Sequence, residues 1–142
     1  MREIKFRAWN EAGKAWLEGD ELGFSIGFDG SVWSHHFSGS SQVEAILCQY
    51  TELQDKNGAD IYEGDIVKHE VAYGDNQVRD KICGDVYFKK GSFYVRSDVA
   101  MRDGWGHKEL SLVADSLSFD GSAKYACEII GNIYENEELI NA

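Results

Sequence analysis

A chain of 142 residues with 14 basic and 25 acidic side chains, a net charge of −11, is long enough for one domain with a sizeable core. Its charge has the wrong sign for a non-specific grip on phosphate backbones or anionic lipid. Fifteen glycines, 13% aromatic residues and no proline favour short strands joined by Gly, Asn and Asp turns over a helical bundle.

Glu3 to Trp9 alternates, with Ile4, Phe6 and Ala8 on one side and Lys5, Arg7 and Trp9 on the other, which is the period of a half-buried strand. The stretch around Arg2, Lys5 and Arg7 lacks the apolar core of a secretion signal. No run approaches the ~18 apolar residues of a membrane span, so the expected location is the cytosol. A turn at Asn10–Gly13 leads to a second strand over Ala15–Glu18. Phe24–Phe28 and Ser31–His35 then flank Asp29-Gly30, a pair suited to a two-residue type I′ hairpin. Phe37–Ser41 reads as a flexible connector. Gln42–Tyr50 is ambiguous, since Val43, Ile46, Leu47 and Tyr50 sit at helical spacing while Ala45–Tyr50 reads equally as a buried strand; the strand is the expectation here.

The block Gln49–Lys68, QYTELQDKNGADIYEGDIVK, is the most informative part of the chain. An aliphatic run ends, a polar turn forms on Asn57-Gly58, Ile61-Tyr62 re-enters a core, and Glu63-Gly64-Asp65 turns into the strand Ile66–Val67–Lys68. Ile66–Val71 should pair with Lys81–Phe88 across the tip Gly74-Asp75-Asn76, and Phe93–Arg96 completes a meander. Ser97–Lys108 reads as a long loop. Glu109–Leu117 fits either a short helix or an irregular strand, and Tyr125–Ile133 is a strand. Asn136 with Glu137 and Glu138 suits the N-cap of a short terminal helix. Cys48, Cys83 and Cys127 are few, far apart and set among apolar or strand-like neighbours, so they read as reduced packing residues.

Three separated segments carry a resemblance: MREIKFRAWN at the start, QYTELQDKNGADIYEGDIVK in the middle and EIIGNIYENEELI at the end. Together they resemble the YopX family of phage and prophage proteins over essentially the whole chain. Asn10 stands where the pattern usually has Asp, Glu52 where it has Gly, Gln54 where Lys is frequent, and Glu137 where Pro is frequent. The resemblance implies an all-β or β-rich fold with little helix. It places an SH3-type small β-barrel at about residues 61–135, an N-terminal β region at about 1–60 and a short C-terminal tail, all within a single domain. It implies no established activity, no cofactor and no catalytic motif, and it places the protein in the cytoplasm of a bacterial host.

The residues themselves offer little chemistry. Asp60, Glu63 and Asp65 crowd three carboxylates together, but the segment from Asp55 departs from a Ca²⁺ loop: its glycine comes at position 4 and position 12 is Ile66. No feature beside them points to a raised pKa, so they read as turn makers. His35-His36 would point to opposite faces of a strand, while His69 and His107 are isolated. No nucleophile elbow or phosphate-cradling loop is present, and Lys89-Lys90 reads as a solvated hairpin tip.

Two tryptophans are the candidate partner contacts. Trp105, between glycines, is either an exposed anchor or a cover folded over a barrel end, and Trp33 on a strand invites the same two readings. The expected function is a non-enzymatic accessory protein that binds a protein partner, with a homo-oligomer possible, no membrane association and no cofactor or metal. The alternative is a nucleic-acid-linked regulator, acting either by direct binding or as an acidic mimic of DNA. A third reading, a metal-dependent enzyme, would require several of Asp60, Glu63, Asp65, His69 and His107 to converge.

Overall fold

The computed structural model describes residues 3–17, 23–73, 78–97, 108–112, 116–117 and 123–139. Within these residues the chain is all-β, with thirteen strands and a single 3₁₀ turn. It forms two compact units, Lys5–Gln49 and Met1–Ile4 with Tyr50–Ala142. The boundary falls within one long strand.

In the unit Lys5–Gln49, β1 (Phe6–Asn10) pairs antiparallel with β2 (Ala15–Trp16) and, from Phe6↔Gln49 to Trp9↔Ile46, with the first half of β6 (Ile46–Gln54). The alternation expected in the first strand is present, and the structure shows which side is covered. Trp9 is buried while Phe6 is exposed. Trp9 meets Trp16 edge-to-face at 5.1 Å between ring centroids, and the Arg7 guanidinium lies 4.2 Å from the centroid of the Trp16 ring. The tryptophan pair with its cation is the contact that covers this face.

The same unit holds a meander of β3 (Phe24–Ile26), β4 (Val32–His36) and β5 (Gly39–Val43). The first hairpin is not the expected two-residue type I′ turn. Gly30 has φ +85°, whereas Asp29 keeps an ordinary negative φ, and Gly27 N–H donates to Ser31 O at 2.8 Å. The loop is therefore the three-residue kind that ends in a left-handed glycine. Asp29 stays right-handed because its Oδ1 accepts from both Ser31 N–H and Ser31 Oγ–H, at 3.0 and 2.6 Å. The expected connector Phe37–Ser41 is instead a tight turn at Phe37-Ser38 followed by β5. Its Ser and Gly residues have poor strand propensity, and the ladder with β4 overrides it.

In the larger unit the second half of β6 pairs with β7 (Asp60–Tyr62) across an irregular register between Tyr50 and Gln54. Glu52 sits in that irregularity with φ +69°. A left-handed backbone is one that glycine adopts freely and that strains a residue with a side chain such as Glu52. Next come β8 (Asp65–Tyr73), β9 (Val78–Lys89), β10 (Ser92–Ser97), β11 (Lys108–Ser111), β12 (Ser116–Leu117) and β13 (Ala123–Asn132). They form one antiparallel sheet in the order β11-β10-β9-β8-β13-β12, curled as a half-barrel. The all-β class and the barrel-type sheet in the second half are those the sequence leads one to expect.

The segment Glu109–Leu117, open between helix and strand in the sequence, contributes β11 and β12. The long loop and the tip Gly74-Asp75-Asn76 lie outside the described residues. The core gathers Ile61, Val67, Val86, Val95, Leu112 and Cys127, with Leu53, Phe93 and Ile129 packed against it. Cys48 and Cys127 are buried, as packing cysteines should be, but Cys83 is exposed because it alternates with the buried Val86 side of β9.

Two close approaches shape this unit. Gly64, in the turn from β7 to β8, has φ +86°; its N–H donates to Val86 O at 2.9 Å and its carbonyl accepts from Ile133 N–H at 2.8 Å. A Cβ there would stand 2.8 Å from the Tyr134 ring. At the C-terminus the short helix is a 3₁₀ turn, Glu137–Leu139. Asn136 does not cap it with its side chain. Its Oδ1 accepts from Asn132 N–H at 3.1 Å, folding back on the end of β13.

Gly64→Val combines a left-handed backbone with a ring collision and should cost about 2–4 kcal/mol in denaturant unfolding. A variant as stable as the wild type would contradict this account of the turn. Glu52→Gly relieves the same kind of strain but frees the unfolded chain, so it should leave stability unchanged or raise it by up to ~1 kcal/mol. A clear loss would show that the exposed bond from Glu3 N–H to Glu52 Oε1, at 2.9 Å, outweighs the backbone strain.

Candidate functional site

Strand β4 sorts its side chains cleanly between two faces. Val32 and Ser34 are buried, while Trp33 and His35 point to the opposite, outer face of the meander. Trp33 stands between Ser25 on β3 and Gln42 on β5, 37% exposed, with its indole N–H donating to Ser31 Oγ at 3.0 Å. His35 is held across the sheet by Ser25 Oγ at 2.7 Å from Nε2 and Ser40 Oγ at 2.8 Å from Nδ1. The loop-tip residues Phe28 and Phe37, at the two hairpin turns, are fully or almost fully exposed. The result is a neutral face with one aromatic platform, a pinned imidazole and several hydroxyl and amide groups.

His36 takes the other face, beside Ser34 Oγ at 3.2 Å from its Nε2, so the histidine pair splits as strand geometry requires. Behind the meander is an open cavity of about 280 Å³. Phe24, Ile26 and Val32 line one side, Phe6, Ala8, Leu17 and Leu47 the other, with Arg7 at its margin. The Arg7 guanidinium is engaged with the Trp16 ring, so the cavity is apolar space without a convergent set of reacting groups.

Two carboxylates of the central block, Asp55 and Asp65, serve the backbone. Asp55 is buried; its Oδ1 accepts from Asn57 N–H at 2.9 Å and Ala59 N–H at 3.0 Å, and its Oδ2 from Ile129 N–H at 3.1 Å. Asp65, also buried, accepts from Tyr62 N–H at 2.8 Å. Asp60 accepts from Gln54 Nε2 at 3.1 Å. Among the described residues no three His, Cys, Asp or Glu side chains are grouped to hold a metal ion, and no helix is long and apolar enough to cross a membrane. Trp105, His107 and the side chain of His69 lie outside the described residues. Lys89 and Lys90 form an exposed tip, and Lys90 and Gly91, at φ +49° and +82°, make the type I′ turn that had been expected at Asp29-Gly30.

Residues 5–141 match the family described as YopX protein. The chain belongs to the YopX family. A solved structure similar to this YopX protein is the crystal structure of protein EF1440 from Enterococcus faecalis. The two are 21% identical over 97% of this chain and 98% of that one, with a TM-score of 0.56, a likeness of fold. No curated protein matches the chain.

Of the two candidate tryptophans, only Trp33 can be placed, and Phe28, Phe37, Ser25 and Ser40 join it. The sequence signal for Trp33, Phe37 and Ser40 lies in charge: between Asp29 and Glu44 no charged side chain occurs, and no other uncharged run in the chain is as long, while Ser25 and Phe28 precede Asp29.

Burial by itself would raise the Asp55 carboxyl. The amides of Ile129, Ala59 and Asn57, with the nearby Lys56 ammonium, outweigh it and hold the pKa below the ordinary value. The unfolded chain therefore takes up this proton first as pH falls. The stabilisation is complete above about pH 4 and is lost as pH drops through the lowered folded value. Asp55→Ala should lose roughly 2–4 kcal/mol at neutral pH, with the gap to wild type narrowing below pH 4 in urea titrations. A gap independent of pH would mean that the carboxylate charge is not what holds the turn.

Proposed function

We propose that this YopX protein is a non-enzymatic accessory protein of phage or prophage origin that works in the bacterial cytoplasm by binding another protein through the Trp33 face. The observation that carries this reading is the setting of Trp33: a half-open indole fixed by Ser31, in an uncharged frame of Ser25, His35, Ser40 and Gln42. Tryptophan is enriched among the residues that dominate interface energy. A rigid aromatic beside small hydroxyl and amide groups supplies contact area at low entropic cost. Phe28 and Phe37 extend the apolar area at the two turns.

The net charge of −11 supports a second reading, in which the acidic surface occupies a DNA-binding protein in place of DNA. The two differ in salt dependence and in the residue that matters. Purification of partners from a host lysate, with wild-type and Trp33→Ala protein as bait, separates them. Trp33→Ala should stay folded at a cost of about 1–2 kcal/mol for the lost packing and indole bond and lose its partner even at low salt. A partner retained by Trp33→Ala and released by salt supports the acidic-mimic reading. Tight, salt-sensitive binding of DNA or RNA in a mobility-shift assay would overturn both.

A further inference from the structure

Strand β5 is an unguarded edge. Sheets blunt such edges with lysine, proline, a bulge or a covering segment, because a row of outward N–H and C=O groups is a template for another strand. β5 reads Gly39-Ser40-Ser41-Gln42-Val43, without a charge, a proline or a bulge, and among the described residues its strand partner is β4 alone. Four of its five residues are exposed and Val43 is half-buried.

The direction of its backbone groups follows from β4. His35 N–H donates to Gly23 O at 3.2 Å, on the β3 side. In an antiparallel ladder the residues of a strand alternate between its two neighbours. His35 and Trp33 therefore turn their backbone groups to β3, and Ser34 and its alternates turn theirs to β5. The partners of Ser34 and Val32, which are Ser41 and Val43, face β4, so Ser40 and Gln42 present N–H and C=O to the open side.

We propose that β5 pairs antiparallel with β5 of a second copy of this chain about a two-fold axis through Ser41, making a continuous six-stranded sheet, β3-β4-β5-β5-β4-β3. The register satisfies each outward group: Ser40 and Gln42 of one copy exchange N–H···O bonds with Gln42 and Ser40 of the other, and Ser41 faces its own symmetry mate across a non-hydrogen-bonded pair. On the side chains, hydroxyl meets amide and Gly39 meets the branched Val43, with no like charges opposed.

Self-complementarity selects a second copy as the occupant, since about Ser41 the strand satisfies its own outward groups, and charge permits it. Two chains of net charge −11 repel at most approaches, and the run from Asp29 to Glu44 is where they can meet without opposing carboxylates. Because the axis is perpendicular to the sheet, both Trp33 side chains come to lie on the same face. The pairing rests on the edge and its charge, independently of the partner reading for Trp33.

Sedimentation velocity on the full chain, across concentrations on the order of 1–500 µM, should show a monomer–dimer equilibrium with a dissociation constant on the order of 10–100 µM, as befits a small interface. Gln42→Pro removes an outward N–H without touching a β4 bond. It should be monomeric throughout with an unchanged unfolding midpoint. Ser41→Cys, in a Cys83→Ser background, should give a disulfide-linked dimer on mild oxidation. A wild-type protein that stays monomeric at all concentrations overturns the proposal and leaves the edge to an extended segment of a different protein. A Gln42→Pro protein that still dimerises, or a Ser41→Cys protein that fails to crosslink while dimeric, overturns it as well.

Discussion

The larger unit depends on one carboxylate. Asp55 closes its own turn through Asn57 and Ala59 and, with its second oxygen, takes Ile129 N–H beside the irregularity of β13. A bulge leaves a backbone donor without a strand partner, and an unmet buried donor costs as much as a hydrogen bond is worth. Asp55 meets that cost from a segment distant in sequence. The adjacent Lys56 N–H donates to Cys127 O at 2.8 Å and its ammonium pairs with Glu128 at 3.3 Å, so the turn is sutured to β13 at three successive points. The ion pair is half exposed and adds little; the buried amide contacts hold the joint.

From that joint the other close approaches follow. The bulge brings Gly131 opposite Ile66 and places Asn132 at the strand end, where its Oδ1 accepts from Tyr134 and Glu135 at 3.0 and 2.9 Å. That compact corner aims the Tyr134 ring at Gly64, and it is why both glycines are backbone-only positions: a Cβ on Gly131 would meet Asn136 Oδ1 at 2.6 Å. Asp55 and Asp65 are thus committed to backbone donors. A carboxylate already saturated by amides is a poor general base and a poor metal ligand, since either role would require it to give up the bonds that fold the chain.

What could be read from the sequence was local turn chemistry and strand periodicity. The block from Asp55 to Asp65 announces its turns because Asp, Asn and Gly there act on neighbours a few residues away. The alternation around Trp9 was equally plain, but its inside and outside were not. That choice depends on Trp9 and Arg7 both meeting Trp16, contacts made across a hairpin, and average hydrophobicity favours the other side. Asp29-Gly30 misleads for a related reason, since the hydroxyl of Ser31 holds the Asp29 carboxylate and keeps its backbone right-handed. Lys90-Gly91 adopts the expected turn without the usual Asn or Asp. Gly39–Val43 is a strand only because β4 lies beside it. In each case a contact outside the local window outweighs propensity.

The candidate face was hidden by the same blind spot. Trp33 could be singled out as a residue, but its meaning comes from neighbours on two other strands, Ser25 and Gln42, and from turns that carry Phe28 and Phe37 outward. The uncharged run that holds Trp33, Phe37 and Gln42 contrasts with the strongly acidic remainder. Like charge keeps copies of the chain, and most anionic surfaces, apart at distances up to a Debye length. Contact forces at an aromatic, hydroxyl-rich surface act only within a few ångströms. A chain built this way repels like-charged surfaces over most of its length, and the stretch between Asp29 and Glu44 adds nothing to that repulsion.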